Sequence, residues 1–272
     1  MHKKLKDIIH KTNHPVTKSM IKNALKDLGL HKHSRVEVHA SLSSFGFVVN
    51  KAYDVIDALT ETITDGVIIM PAHTPEMTNP RDWEHPPVPG NWYDIIEAHR
   101  KPFDPRLFLP ERVGEIARVF LLYPSVRRTL HPETSLSVYN KTDDSSWFEH
   151  AFDDRKMINP LHKLQKEHGK ILFIGTNFDS CTSIHLTEFM AHHATLDTYP
   201  YKIKKDGKII EKNVITKYYD DDDKNFKTIA ASYISTYEHT PDYRQTTVGS
   251  ATLTLIDAHK LFIIAKNYHL NH

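Results

Sequence analysis

The stretch DSCTSIHLTE, residues 179–188, holds the densest run of side chains able to do acid–base chemistry. Thr182 or Ser183 can cap a helix starting there by accepting a hydrogen bond from its first turn. That cap places His185 in the first turn and Glu188 one turn later on the same face. A carboxylate at that distance fixes the imidazole tautomer and stabilises the imidazolium, which is how a general base is built. His-x-x-Glu is also a common surface ion pair, and the spacing alone leaves both readings open. A metal reading competes, because His185, Glu188 and His192 follow i, i+3 and i+7 spacing. Ligands strung over about 10 Å of straight helix, at ~1.5 Å per residue, converge poorly on one ion, so no metal is expected.

Three further places carry chemistry. His39, Ser41, Leu42 and Ser43 lie where a strand opens into a loop of small hydroxyl residues ahead of a helix. Such a loop exposes backbone N–H groups that can hold phosphate or amide oxygens, and it is equally an ordinary Ser-rich turn. Arg127 and Arg128 could contact phosphates, although adjacent arginines are usually solvated, and His131-Pro132 begins a polar loop. The acidic run from Asp220 to Asp223 is a solvated face unless it flanks a cleft, where it would attract a polycation.

The elements that must position these residues can be read from periodicity. Met20, Ile21, Ala24, Leu25 and Leu28 predict a helix over 17–30, with Gly29 as its stop. A strand follows over 35–40, a helix over 52–63 and a strand over 67–70 that ends at Pro71. That order suggests a βαβ unit and an α/β fold. Eight prolines between Pro75 and Pro110 predict a long ordered loop, held by Trp83, Trp92, Tyr93 and Phe103. Helices are expected over 113–121, 160–167, 183–194, 226–237 and 258–267, and strands over 171–174 and 248–256. Asp206-Gly207 predicts a hairpin between 201–204 and 208–219. The strand, loop and helix at 171–194 resemble those at 36–63, which suggests two pseudo-duplicated α/β halves.

Composition narrows the class. The 272 residues carry 35 Lys and Arg against 34 Asp and Glu, so no global field draws the chain to nucleic acid or an anionic membrane. One cysteine, Cys181, excludes an internal disulfide and a thiolate cluster and suits a reducing compartment. No segment approaches the roughly 18 apolar residues of a span, and the N-terminus lacks an uninterrupted apolar stretch. A soluble, cytoplasmic protein with a single domain over 1–272 is expected.

Seven segments in register resemble the aminoglycoside 3-N-acetyltransferase family: VEVHASLSSFGFV, DGVIIMPAHT, HPPVPGNW, PFDP, RRTLHPETS, GKILFIGTNFDSCTSIHLTE and VGSA. The resemblance runs from about Met20 to Asn267. It implies an α/β fold unrelated to that of the GNAT acetyltransferases, and acetyl transfer from acetyl-CoA to a ring amine. The family's T-x-x-H-x-x-E motif falls on Thr182, His185 and Glu188, and its His-Pro motif on His131 and Pro132. Its cofactor-cradling loop falls on His39, Ser41, Leu42 and Ser43. Arg128, as a candidate phosphate contact, is also expected at the cofactor. His185 is then the base, oriented by Glu188, with His131 as an alternative. The chain departs from the family at Gly66-Val67, at Thr129 for Ser and at Thr187, where a smaller Ala often precedes the Glu. The expected partner is a small, polycationic amine, with a homodimer as a candidate assembly. A relay through Cys181, a binding protein without turnover and a metal-dependent hydrolase remain the competing readings.

Overall fold

The computed structural model describes residues 2–10, 12–142, 144–148, 159–190, 195–218 and 223–271. Along the chain run α1 (His2–His10), α2 (Lys18–Asp27), β1 (Arg35–Ala40), α3 (Ala52–Thr62), β2 (Val67–Pro71), α4 (Tyr93–His99) and α5 (Gly114–Phe120). Then come β3 (Val126–Arg128), β4 (Leu136–Asn140), α6 (Asn159–Lys166), β5 (Lys170–Ile174), α7 (Thr182–Met190), β6 (Thr195–Lys205) and β7 (Lys208–Tyr218). The last elements are α8 (Asp223–Tyr237), β8 (Tyr243–Val248), β9 (Ala251–Asp257) and α9 (Ala258–Asn271).

Seven strands form one mixed sheet in the order β3-β4-β2-β1-β5-β9-β8, and β6 pairs with β7 alone. The three central strands, β2, β1 and β5, are parallel, and each flank adds antiparallel strands. Their side chains alternate between two cores, as the period of two requires. Val36, Val38, Ile68, Met70, Leu172 and Ile174 pack with α2, α3 and α5. Val67, Ile69, Ile171 and Phe173 pack with α6, α7, α8 and α9 on the other face. Full burial of each such side chain contributes roughly 1.5–3 kcal/mol, so both faces hold the sheet rigid.

The same alternation puts Glu37 and His39 of β1 on the second face. Glu37 stands in register between Ile69 and Ile171, and His39 beside Phe173. A carboxylate there is a polar intrusion into an apolar layer, stable only if its oxygens are bonded.

Several sequence expectations change. The segment 75–110 is not all loop, because α4 and short 3-10 turns order it. The strand expected over 248–256 is a hairpin: β8 turns at Gly249-Ser250 into β9. β4 has no clear alternation because all five of its residues are buried. The hairpin at Asp206-Gly207 has the left-handed φ values of 50° and 77° that such a tight turn demands. Both β1 and β5 lead through a 3-10 turn into a helix, so that unit repeats locally, within one continuous sheet. Among the described residues no helix is long and apolar enough to cross a membrane.

Candidate active site

A cavity of about 780 Å³ opens at the carboxyl ends of β1, β2 and β5. Crevices beyond strand ends are where open α/β sheets take their ligands, since the loops there carry unpaired backbone groups. Its lining includes His39, Ser41, Leu42, Ser43, His73 and Thr182, with apolar walls from Val38, Phe47, Val48 and Met70. The hydroxyl-rich loop is a 3-10 turn over Leu42–Phe45. Ser41 N–H binds Ile174 O at 2.9 Å, and the Ser44 hydroxyl donates back to Ser41 O at 2.7 Å. Gly175, with φ +59°, lies so close to Ser44 that a Cβ would sit 1.7 Å from its hydroxyl oxygen. A glycine is therefore what lets β5 end against this loop.

Helix α7 carries the expected pair. His185 Nδ1 lies 2.9 Å from Glu188 Oε2, with side chains 27% and 15% exposed. The imidazole packs on Phe226 of α8 at 4.9 Å between centroids. The other Glu188 oxygen lies 3.9 Å from His269 Nε2. His269 Nδ1 in turn meets the Thr187 hydroxyl at 2.9 Å, so the residue that departs from the family pattern holds that ring beside the carboxylate. Ser183 does not cap its own helix with its side chain; its hydroxyl donates to Glu37 Oε2 on β1. His39 Nε2 meets Glu37 Oε1 at 2.8 Å, and Thr182 N–H approaches the same nitrogen at 3.4 Å. These contacts pin the start of α7, and hence His185, to the end of β1.

Two expected site residues turn inward instead. Arg128 is buried and gives its guanidinium to Ser135 Oγ at 2.8 Å, to Ala72 O and to Phe108 O, while lying over Phe103 at 5.0 Å. Burial pulls it down to about 10. With its donors spent on the fold, it is a clamp between segments rather than a phosphate contact. His131 is fully buried. Its Nδ1 accepts from Glu133 N–H and Thr134 N–H at 3.2 and 3.1 Å, and its Nε2 meets Ile215 O at 3.3 Å. Burial holds the imidazole neutral, at about 4, so it organises its loop and is poorly suited to accept a substrate proton.

Of the other residues near the site, His73 and Glu37 gave no sequence signal. His73 is half-buried, its Nδ1 is sealed from solvent and unbonded, and burial together with the charges of His185 and His39 holds it near 3. Cys181 is wholly buried and does not line the cavity, and burial pushes its thiol well up, which disfavours a nucleophilic thiolate. Glu37, His39 and Cys181 have ligand atoms within 4.8 Å of one another, the one such group among the described residues. Glu37 is already satisfied there by His39 and Ser183. His192 and His193 lie outside the described residues, as do Asp220, Asp221 and Asp222 of the acidic run.

The sequence profile of the aminoglycoside 3-N-acetyltransferases matches residues 38–269. The chain belongs to that family. It is 37% identical over 188 residues to the SPbeta prophage-derived aminoglycoside N(3')-acetyltransferase-like protein YokD of Bacillus subtilis, covering 68% of this chain and 69% of that one. The crystal structure of YokD superposes with a TM-score of 0.88 at 30% identity over 98% of both chains. Two solved family members share the fold at lower identity. AAC-IIIb, in a binary complex with CoASH, has a TM-score of 0.75 at 20% identity and covers 94% of this chain and 96% of its own. AAC-VIa, with bound sisomicin, has a TM-score of 0.77 at 23% identity and covers 95% and 99%.

Proposed function

We propose that the protein transfers an acetyl group from acetyl-CoA to an amine of a polycationic small molecule, the 3-amino group of a 2-deoxystreptamine aminoglycoside or a related amine. The observation that carries this reading is the His185–Glu188 pair on α7, whose first residue, Thr182, lines the strand-end cavity. Acetyl-CoA supplies an activated acyl carbon as a thioester. The Ser41 to Ser43 loop and the apolar walls suit a pantetheine arm, since the loop offers polar groups and the walls exclude water. His185 accepts the proton as the amine attacks, and Glu188 stabilises the imidazolium through Nδ1. Backbone N–H groups in the first turn of α7 and in the loop stabilise the developing oxyanion.

Support comes from family membership and from relatives bound to CoASH and to sisomicin. A binding protein without turnover has no use for an oriented imidazole. The test is thiol release from acetyl-CoA across a panel of aminoglycosides and polyamines, with mass spectrometry locating the acetyl group. Acetylation of at least one amine is expected. Thiol release no faster than the uncatalysed background with every amine would reject the assignment.

A further inference from the structure

Amine attack creates two proton problems, and His185 answers one. The other is the thiolate that departs when the C–S bond breaks. An unprotonated sulfur anion facing Val38, Leu42, Val48 and Met70 is poorly solvated, and charge in an apolar pocket is costly. A second imidazole–carboxylate pair stands at that cavity. His39 lies at the end of β1, immediately before the Ser41 to Ser43 loop, and lines the cavity wall. Its Nε2 is held 2.8 Å from Glu37 Oε1, and its ring stacks on Phe173 at 5.7 Å. Glu37 is fixed in turn by the Ser183 hydroxyl and sits wholly inside the second core. Among the described residues no group bonds His39 Nδ1, and that atom is not among the sealed, unbonded ones such as His73 Nδ1. One nitrogen is therefore committed to a carboxylate, and the other belongs to a ring that lines the cavity and has no hydrogen-bond partner among the described residues.

We propose that His39, held through Nε2 by its positioning residue Glu37, is the general acid that protonates the departing thiolate through Nδ1. This rests on the acetyl-transfer reading above. In the step, the C–S bond pair moves to sulfur, the Nδ1 proton passes to that sulfur, and the acyl carbon keeps its new bond to nitrogen. The amine's proton goes to His185. Afterwards His185 gives its proton to solvent and His39 regains one, so the net reaction yields amide and free thiol. When Nε2–H donates to Glu37, Thr182 N–H is released from that nitrogen and is available at the mouth of α7. The two pairs, one on β1 and one on α7, are linked through Thr182 and Ser183, which contact His39 and Glu37 at the start of the helix that carries His185.

A general acid for the leaving group matters less as the leaving thiol becomes more acidic. Wild type and His39→Asn are compared on acetyl-CoA and on an aryl thioester with an acidic thiol, each corrected for uncatalysed transfer. His39→Asn should lose ~10²-fold or more of kcat on acetyl-CoA and stay within about tenfold of wild type on the aryl donor. An equal loss on both donors, or none on acetyl-CoA, would overturn the assignment. Binding gives a readout without turnover. Calorimetry with CoASH and desulfo-CoA should show that wild type prefers the thiol by roughly threefold to tenfold, as one hydrogen bond allows, and that His39→Asn loses the preference while keeping its affinity for desulfo-CoA. No preference in wild type would count against contact with sulfur. If His39→Asn fails to fold, Glu37→Gln is measured on both donors and should give the same donor-dependent loss at smaller size; a donor-independent loss would overturn the assignment. Wild type that binds CoASH but transfers no acetyl group from either donor would sink the acetyl-transfer reading itself, a failure distinct from these.

Discussion

Replacing Glu133 by Gln should make the protein more stable at neutral and alkaline pH while changing little at acid pH. Glu133 sits in the loop before β4, and its carboxylate accepts the hydroxyl of Tyr201 on β6. This contact ties the β6–β7 hairpin to the sheet. Burial pushes the carboxyl up to about 7 from 4.5, and the bond from Tyr201 offsets part of that rise. A folded-state value above the unfolded one means that the native protein holds a proton the unfolded chain releases. The neutral acid therefore contributes fully below about pH 4.5, and stability falls as pH rises toward 7. The whole loss amounts to about 3 kcal/mol, taking ~1.4 kcal/mol for each tenfold change. Gln keeps an oxygen to accept from Tyr201 and cannot ionise. Urea unfolding of both proteins between about pH 4 and pH 8 should show the variant's relative stability growing by about 3 kcal/mol, then levelling. A difference that stays flat, or grows in the opposite direction, would refute the burial argument.

Arg128→Lys should cost about 2–4 kcal/mol in urea unfolding, because an ammonium cannot span Ser135, Ala72 and Phe108, and CoASH affinity measured by calorimetry on the folded variant should barely move. A large loss of affinity at unchanged stability would return Arg128 to the cofactor site. Cys181→Ala should keep kcat within about threefold of wild type in the thiol-release assay, since a buried, protonated thiol is not a nucleophile. Loss of turnover with the fold intact would revive the acyl relay. Glu188→Gln should lower kcat by roughly tenfold to a hundredfold, less than loss of the imidazole itself, because it acts through His185.

Local patterns were legible where the local chain decides the outcome. The β1 strand and its bounds follow from a short segment with Val36 and Val38 at alternate positions entering a hydroxyl-rich loop, and Asp206-Gly207 names its own turn because two left-handed residues are needed there. The His185–Glu188 contact follows from helical spacing alone. What escaped depends on distant segments. Arg128 reads as a phosphate contact or a solvated arginine until the carbonyls of Ala72 and Phe108 arrive to bind it. His269 comes within 3.9 Å of Glu188 from the far end of the chain. Glu37 reads as an ordinary polar position in a strand, and its burial becomes visible only when α7 covers that face with Ser183. Gly249-Ser250 sits between Thr247-Val248 and Ala251-Thr252, where the flanking Thr and Val suit a strand, so the break between β8 and β9 is hidden by the residues on either side.

The most direct test of the central claim is kcat for His185→Ala beside wild type, on the acceptor that wild type acetylates fastest, with acetyl-CoA varied. If His185 takes the amine proton, kcat falls by ~10²–10⁴ and the KM for acetyl-CoA stays nearly unchanged, because the imidazole is engaged with Glu188 and Phe226 and not with the cavity loop. Near-normal kcat in the folded variant would contradict the account and move the base to another residue.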